Sequence, residues 1–168
     1  MSKAKQVSLC AVLVALALAL SYTERFLPLQ LLIPLPGMKL GLANIVTLLA
    51  LYVLGTKQAF GVLIPRCLLG AVFGGGITGL LFSLVGGVLA LSVMASSRKL
   101  PLFSVFGVSI LGAAAHNVGQ ILACMVLMQS VYVAAYLPYL LLVAILTGFL
   151  TGTLTATVMK HINWRNLQ

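Results

Sequence analysis

The sequence predicts a bundle of six transmembrane helices, forming a single domain over residues 1–168 with both termini on the cytoplasmic side. Three observations carry this. Of the 168 residues, 62% are apolar and only 7% are charged, whereas a soluble domain carries roughly 25% charged residues. So few charges cannot cover a surface facing water, so lipid is the solvent for most of the exterior. Six apolar runs approach the about 20 residues that a helix needs to cross a bilayer. The cations fall in the gaps between those runs in a one-sided pattern.

The runs are 6–23, 41–56, 58–74, 77–96, 102–128 and 136–160. The second is short and the fifth long, which predicts tilted or off-centre placement. Lys3, Lys5, Lys57, Arg98, Lys99, Lys160 and Arg165 all fall on one side of a six-span chain, the cytoplasmic side by the positive-inside rule. Arg25 and Lys39 fall outside, and Arg66 falls within the membrane. Lys3 and Lys5, the first apolar run and Ala17-Leu18-Ala19 also resemble a signal peptide. Its removal would leave five spans, but the run continues smoothly into a polar segment and is read as a retained helix.

The formal charge is +9, from ten Lys or Arg against a single acidic residue, Glu24. Cations dispersed singly between apolar runs read as topology signals and contacts to anionic lipid, not as a nucleic-acid surface. Cys10, Cys67 and Cys124 lie far apart inside apolar runs and lack metal-ligand spacing. No cofactor is expected. A P-loop motif is absent. Metal-dependent diphosphate chemistry needs clustered carboxylates, which a chain with one Glu and no Asp cannot supply. The expectation is a binding or translocating subunit and not an enzyme.

Segment 24–40 holds Pro28, Pro34, Pro36 and Gly37, so it cannot be one regular helix. Its many Leu and Ile residues predict a segment folded back over the outer face as a cap. Small residues recur at i, i+4, i+8 on four spans, where helices can approach closely. They are Ala11, Ala15 and Ala19; Gly79, Ser83 and Gly87; Ala115, Gly119 and Ala123; and Gly148, Gly152 and Ala156. The last three stripes read as packing within the bundle, while the first fits packing or a partner helix equally. Gly74-Gly75-Gly76 marks a tight outer turn, and Thr147, Thr151 and Thr155 form a hydroxyl stripe that reads as a packing face.

Polar groups sunk in hydrocarbon are the functional pointers, because each is costly unless paired or wetted. Arg66 lies near mid-depth behind Pro65, which leaves the Gly61 carbonyl without its helical donor. It reads either as a structural cation, bonded to freed carbonyls or to Glu24, or as the counter-charge of an anionic ligand. His116 and Gln120 share a face of the fifth span, with Asn117 beside them and Gly112 leaving space one turn away. Interhelical bonding, ligand contact and proton coupling are all open, ligand contact being preferred. Asn44 opens the second span behind Lys39, a glycine-flanked cation at the outer mouth that either holds an anion or snorkels to the interface. Glu24 pairs with Arg25, Lys39 or Arg66 in the simplest reading.

These residues also carry a resemblance. Ser21-Tyr22-Thr23-Glu24, the block Pro36-Gly37-Met38-Lys39-Leu40-Gly41-Leu42-Ala43-Asn44, Arg66, and His116-Asn117-x-Gly119-Gln120 together resemble the Gx transporter family, often named heptaprenyl diphosphate synthase component I. That family is similar to the substrate-binding S components of energy-coupling-factor (ECF) transporters. The resemblance implies an S-component-like bundle in the bacterial cytoplasmic membrane. Its partners would be a T-type transmembrane subunit, docked on Ala11, Ala15 and Ala19, and two ATPase subunits. It also implies a pocket open to the outside, under segment 24–40 and near the fifth span. Lys39 and Arg66 would meet an anionic ligand with an apolar part, such as a vitamin or a quinone or isoprenoid precursor. Asn44, His116, Asn117 and Gln120 would orient it, with Glu24 nearby. Arg66 at mid-depth departs from ordinary S components and leaves the substrate class open. The rival expectations are a non-catalytic membrane accessory of polyprenyl diphosphate or menaquinone synthesis, and a stand-alone transporter coupled to protons through His116.

Overall fold

The computed structural model describes residues 3–26 and 41–161, which fold as helices with no strand among them. Helix α1 is Lys3–Thr23, extended by a 3-10 turn over Glu24–Phe26. Helix α2 is Asn44–Val53 and α3 is Thr56–Gly70. A π-turn over Ala71–Gly75 joins α3 to α4, Gly76–Ser97. Helix α5 is Val105–Met128, and a 3-10 helix over Val131–Tyr136 leads into α6, Leu137–His161. The predicted cap over 24–40 lies, from residue 27 onward, outside the described residues, as does Lys39.

Four helical stretches are long and apolar enough to cross a membrane: Lys3–Thr23, Thr56–Ser97, Val105–Met128 and Val131–His161. The six predicted runs each contain a helix, but the second falls short of its expected length. The ten residues of α2 rise about 15 Å, half of a hydrocarbon core of about 30 Å. Two glycines bound it. Gly41 at φ +82° turns the chain into its first turn, where the Asn44 N–H donates to the Gly41 carbonyl at 2.8 Å. Gly55 at φ +95° ends it and begins α3. An L side chain is strained at either angle. The carbonyls left over at the end of α2 find an outside donor: Arg98, just past α4, hydrogen-bonds the Leu51 carbonyl and lies 4.8 Å over the Tyr52 ring. Short as it is, α2 packs against α1, α3, α4 and α6, and Val46, Leu48, Ala50 and Leu51 are at most 1% exposed. It is the centre of the main apolar core.

The 42-residue stretch Thr56–Ser97 is a hairpin. At the predicted glycine turn, Phe73 and Gly74 leave helical geometry, with Gly74 at φ +102° and Gly76 at φ +60°. The chain then reverses, so that a Cβ at Gly87 would stand 2.6 Å from Leu63 Cδ1. The small-residue stripes of α4 and α5 are buried, as predicted. At their crossing a Cβ on Gly119 would lie 2.7 Å from the Gly86 Cα. On α6, Gly148 and Gly152 meet the α5 backbone at Ile110 and Phe106, while Ala156 is half-buried. The α1 stripe differs: Ala11, Ala15 and Ala19 are all exposed, whereas Leu13, Val14 and Ala17 face the core. Gly112 leaves no free space beside His116, because Met94 fills it, with Cγ 2.5 Å from where a Cβ would be.

Candidate functional site

Arg66 is the pivot of the polar interior. It sits behind Pro65 in α3, 6% exposed. Its Nη2 donates to Asn44 Oδ1 at 3.4 Å, a long bond, and its Nε–H has no acceptor among the described residues. Gly87 of α4 faces the same guanidinium, where a Cβ would lie 3.4 Å from Nη2. Glu24, 4% exposed, accepts the Leu42 N–H on Oε1 at 2.6 Å. It thereby ties the end of α1 to the approach to α2, and its carboxylate attracts the Arg66 guanidinium. Arg66 thus keeps donor capacity beyond the bond it makes within the bundle.

His116 and Asn44 both lie beside Gly41. The His116 Nε2 is 3.0 Å from Gln120 Nε2, one helical turn along α5. The ring is held between two glycines: a Cβ at Gly41 would lie 3.2 Å from its Cδ2, and one at Gly86 would lie 2.8 Å from its Nδ1. These two positions need glycine because an imidazole occupies the space a side chain would take. The position of a Cβ on Gly41 is also 2.9 Å from Asn44 Nδ2. Gln120 is fully buried and its Oε1 has no partner among the described residues. The approach to α2 and helices α2, α3, α4 and α5 therefore bring Asn44, Arg66, His116 and Gln120 into one polar cluster, with Glu24 at its edge.

Asn117 is turned away from that cluster. Its Nδ2 donates to the Leu140 carbonyl of α6 at 2.7 Å. Ser109 and Thr151 pair across the same α5–α6 seam at 2.6 Å, and Thr155 donates to the Ile45 carbonyl at 3.5 Å. Thr147 bonds its own backbone at Val143. The hydroxyl stripe is a packing face, as expected, and it takes Asn117 with it.

A cavity of about 410 Å³ opens among α1, α3 and α4, within the range of small-molecule pockets. Leu18, Ser21 and Tyr22 of α1, Arg66 and Gly70 of α3, and Ser83 of α4 line it, with Ala19, Cys67 and Phe73. Among its described lining residues none comes from α5, and segment 27–40, under which the expected pocket lies, is outside the described residues. Among the described residues, Arg66 is the predicted ligand-contacting residue on the cavity wall, and Lys39 lies outside them. Helix α4 approaches α5 closely at Gly86 and Gly119, while the small Gly70 and Ser83 line the cavity on the side of α1. Ser21, Tyr22, Cys67, Gly70, Phe73 and Ser83 had not been read as site residues. Ser21 and Tyr22 stood in the motif ending span one and Ser83 in a packing stripe, so the signal lay in their neighbourhood and not in their chemistry.

Residues 13–158 match the family model described as heptaprenyl diphosphate synthase component I. No curated protein and no solved structure gives a match.

Proposed function

The chain belongs to the heptaprenyl diphosphate synthase component I family, and we propose that it acts as a non-catalytic, ligand-binding membrane subunit. The observation that carries this is the cavity of about 410 Å³ with the buried Arg66 on its wall. A cation held in an apolar interior is costly, and a ligand anion would use the donor capacity that Asn44 leaves over. One carboxylate in the whole chain gives no means of holding the metal ions that diphosphate transfer needs.

In this reading the chain crosses the bacterial cytoplasmic membrane six times with both termini inside. Helix α2 is the short central crossing, wrapped by its neighbours. The subunit works like the S component of an ECF importer, capturing a small anionic, partly apolar molecule from outside. The exposed Ala11, Ala15 and Ala19, the last of which also lines the cavity, support a docking face for a T-type partner bound to two ATPases. Close approach of a second helix needs small side chains that the bundle does not itself use, and the stripes of α4 and α5 are used within it. The family's name favours a second reading, an accessory membrane component beside a soluble heptaprenyl diphosphate synthase.

Two measurements test these readings. Mass spectrometry of small molecules extracted from the purified protein should find an anionic compound that is lost in Arg66→Gln and in Gly70→Leu. A compound retained by both variants, each folded like the parent, would refute the cavity as the binding site. Affinity purification then separates the two readings: a T-type subunit with ATPases supports the importer, and an aspartate-rich synthase supports the accessory role.

A further inference from the structure

The cavity beside Arg66 has a size and a charge, and each restricts what it holds. Its volume of about 410 Å³ is that of a pocket for a small molecule. A chain of seven five-carbon isoprene units far exceeds that room. The rings of Tyr22 and Phe73, with Leu18, form the apolar part of the wall, and Ser21 and Ser83 add hydroxyls. Among the described residues, Arg66 is the one Lys or Arg there. A second negative charge in this recess would find no counter-charge among the described wall residues, and burying an unpaired ion is strongly unfavourable. A single carboxylate matches a guanidinium fork in both shape and charge.

Resting on the reading of the Arg66 cavity as the ligand site, we infer that it takes a compact monoanion, a carboxylate on a flat aromatic or cyclic body, and excludes diphosphates. The site is then selective for one charge and a short body, whichever partner the subunit serves.

The test is calorimetric titration of the purified full chain with three probes: 2-naphthoate, its neutral amide 2-naphthamide, and geranyl diphosphate. Gly70→Leu serves as the blocked control. Among the described residues a Cβ at residue 70 would meet only Leu18 Cδ2, at 3.7 Å, and residue 70 lines the cavity, so the longer side chain takes up its space, and thermal unfolding verifies that the variant is folded. The expected result is saturable binding of 2-naphthoate, at least about tenfold weaker binding of the amide, no competition from geranyl diphosphate, and loss of naphthoate binding in Gly70→Leu. Geranyl diphosphate binding more tightly than naphthoate, and blocked by Gly70→Leu, would overturn the charge class and leave the cavity as the ligand site. Equal binding of acid and amide, or no binding of the acid, would overturn the inference alone. Naphthoate binding unchanged in a folded Gly70→Leu would overturn both.

Discussion

Gly86 and Gly119 bring α4 and α5 together so closely that one methyl group is too many. A Cβ at Gly119 would meet the Gly86 Cα at 2.7 Å, and backbone cannot swing aside as a side-chain tip does. Gly119→Ala should lower stability by about 1–3 kcal/mol, read from thermal unfolding in detergent. Gly61→Ala is the control, because nothing stands within 4 Å of its Cβ position. It should be neutral or stabilising by up to about 1 kcal/mol, since glycine is a poor helix former. Asn117→Ala removes the donor to the Leu140 carbonyl, which should cost about 1–3 kcal/mol while leaving the amount of co-purified ligand unchanged. An unstable Asn44→Ala that also loses ligand would mark the contrast between the two polar sets. The sequence could show that Asn44, Arg66, His116, Asn117 and Gln120 were out of place in hydrocarbon. It could not show which of them meet. Asn117 and His116 are adjacent on α5, and only the placement of α6 separates their partners.

At the scale of elements, the α-helices among the described residues were legible in number and not in length. Apolar runs and their polar gaps marked all six α-helices. In a lipid-facing chain, however, apolar residues continue past the end of a helix, so hydropathy does not say where helical geometry stops. Glycine does: Gly41 and Gly55 trim α2 to ten residues, and Gly74 and Gly76 break a stretch that would otherwise run 42 residues, about 63 Å if straight. Ala at residue 74 would be held at φ +102°, so Gly74→Ala should destabilise by about 1–2 kcal/mol, visible as a lower unfolding temperature. No change would mean that the turn between α3 and α4 is not built on that angle. The faces of α1, α3 and α4 that enclose the cavity were not legible either. When lipid and core are equally apolar, periodicity does not distinguish a lining face from an outer one.

Across the whole molecule, the proposed six-crossing reading has charge set the orientation and the helix faces set what the bundle meets. Lys57 and Lys99 lie at the α2–α3 and α4–α5 connections, on one side of the membrane in a six-crossing chain. Single cysteines there, on a background lacking Cys10, Cys67 and Cys124, should react with an impermeant maleimide only from the cytoplasmic side, and one at Gly75 only from outside. Opposite labelling of residues 57 and 99 would contradict six crossings. The exposed α1 stripe makes a second whole-molecule prediction: Ala15→Trp should abolish co-purification of a partner helix and spare ligand retention, because residue 15 points away from the core. The central claim is that the recess walled by Arg66 and Phe73 is where the small molecule sits. An experimental density map of the protein purified with its bound compound tests it most directly. The account predicts ligand density against the Arg66 guanidinium among α1, α3 and α4. Density seated elsewhere, with Arg66 fully bonded to protein groups, would contradict it.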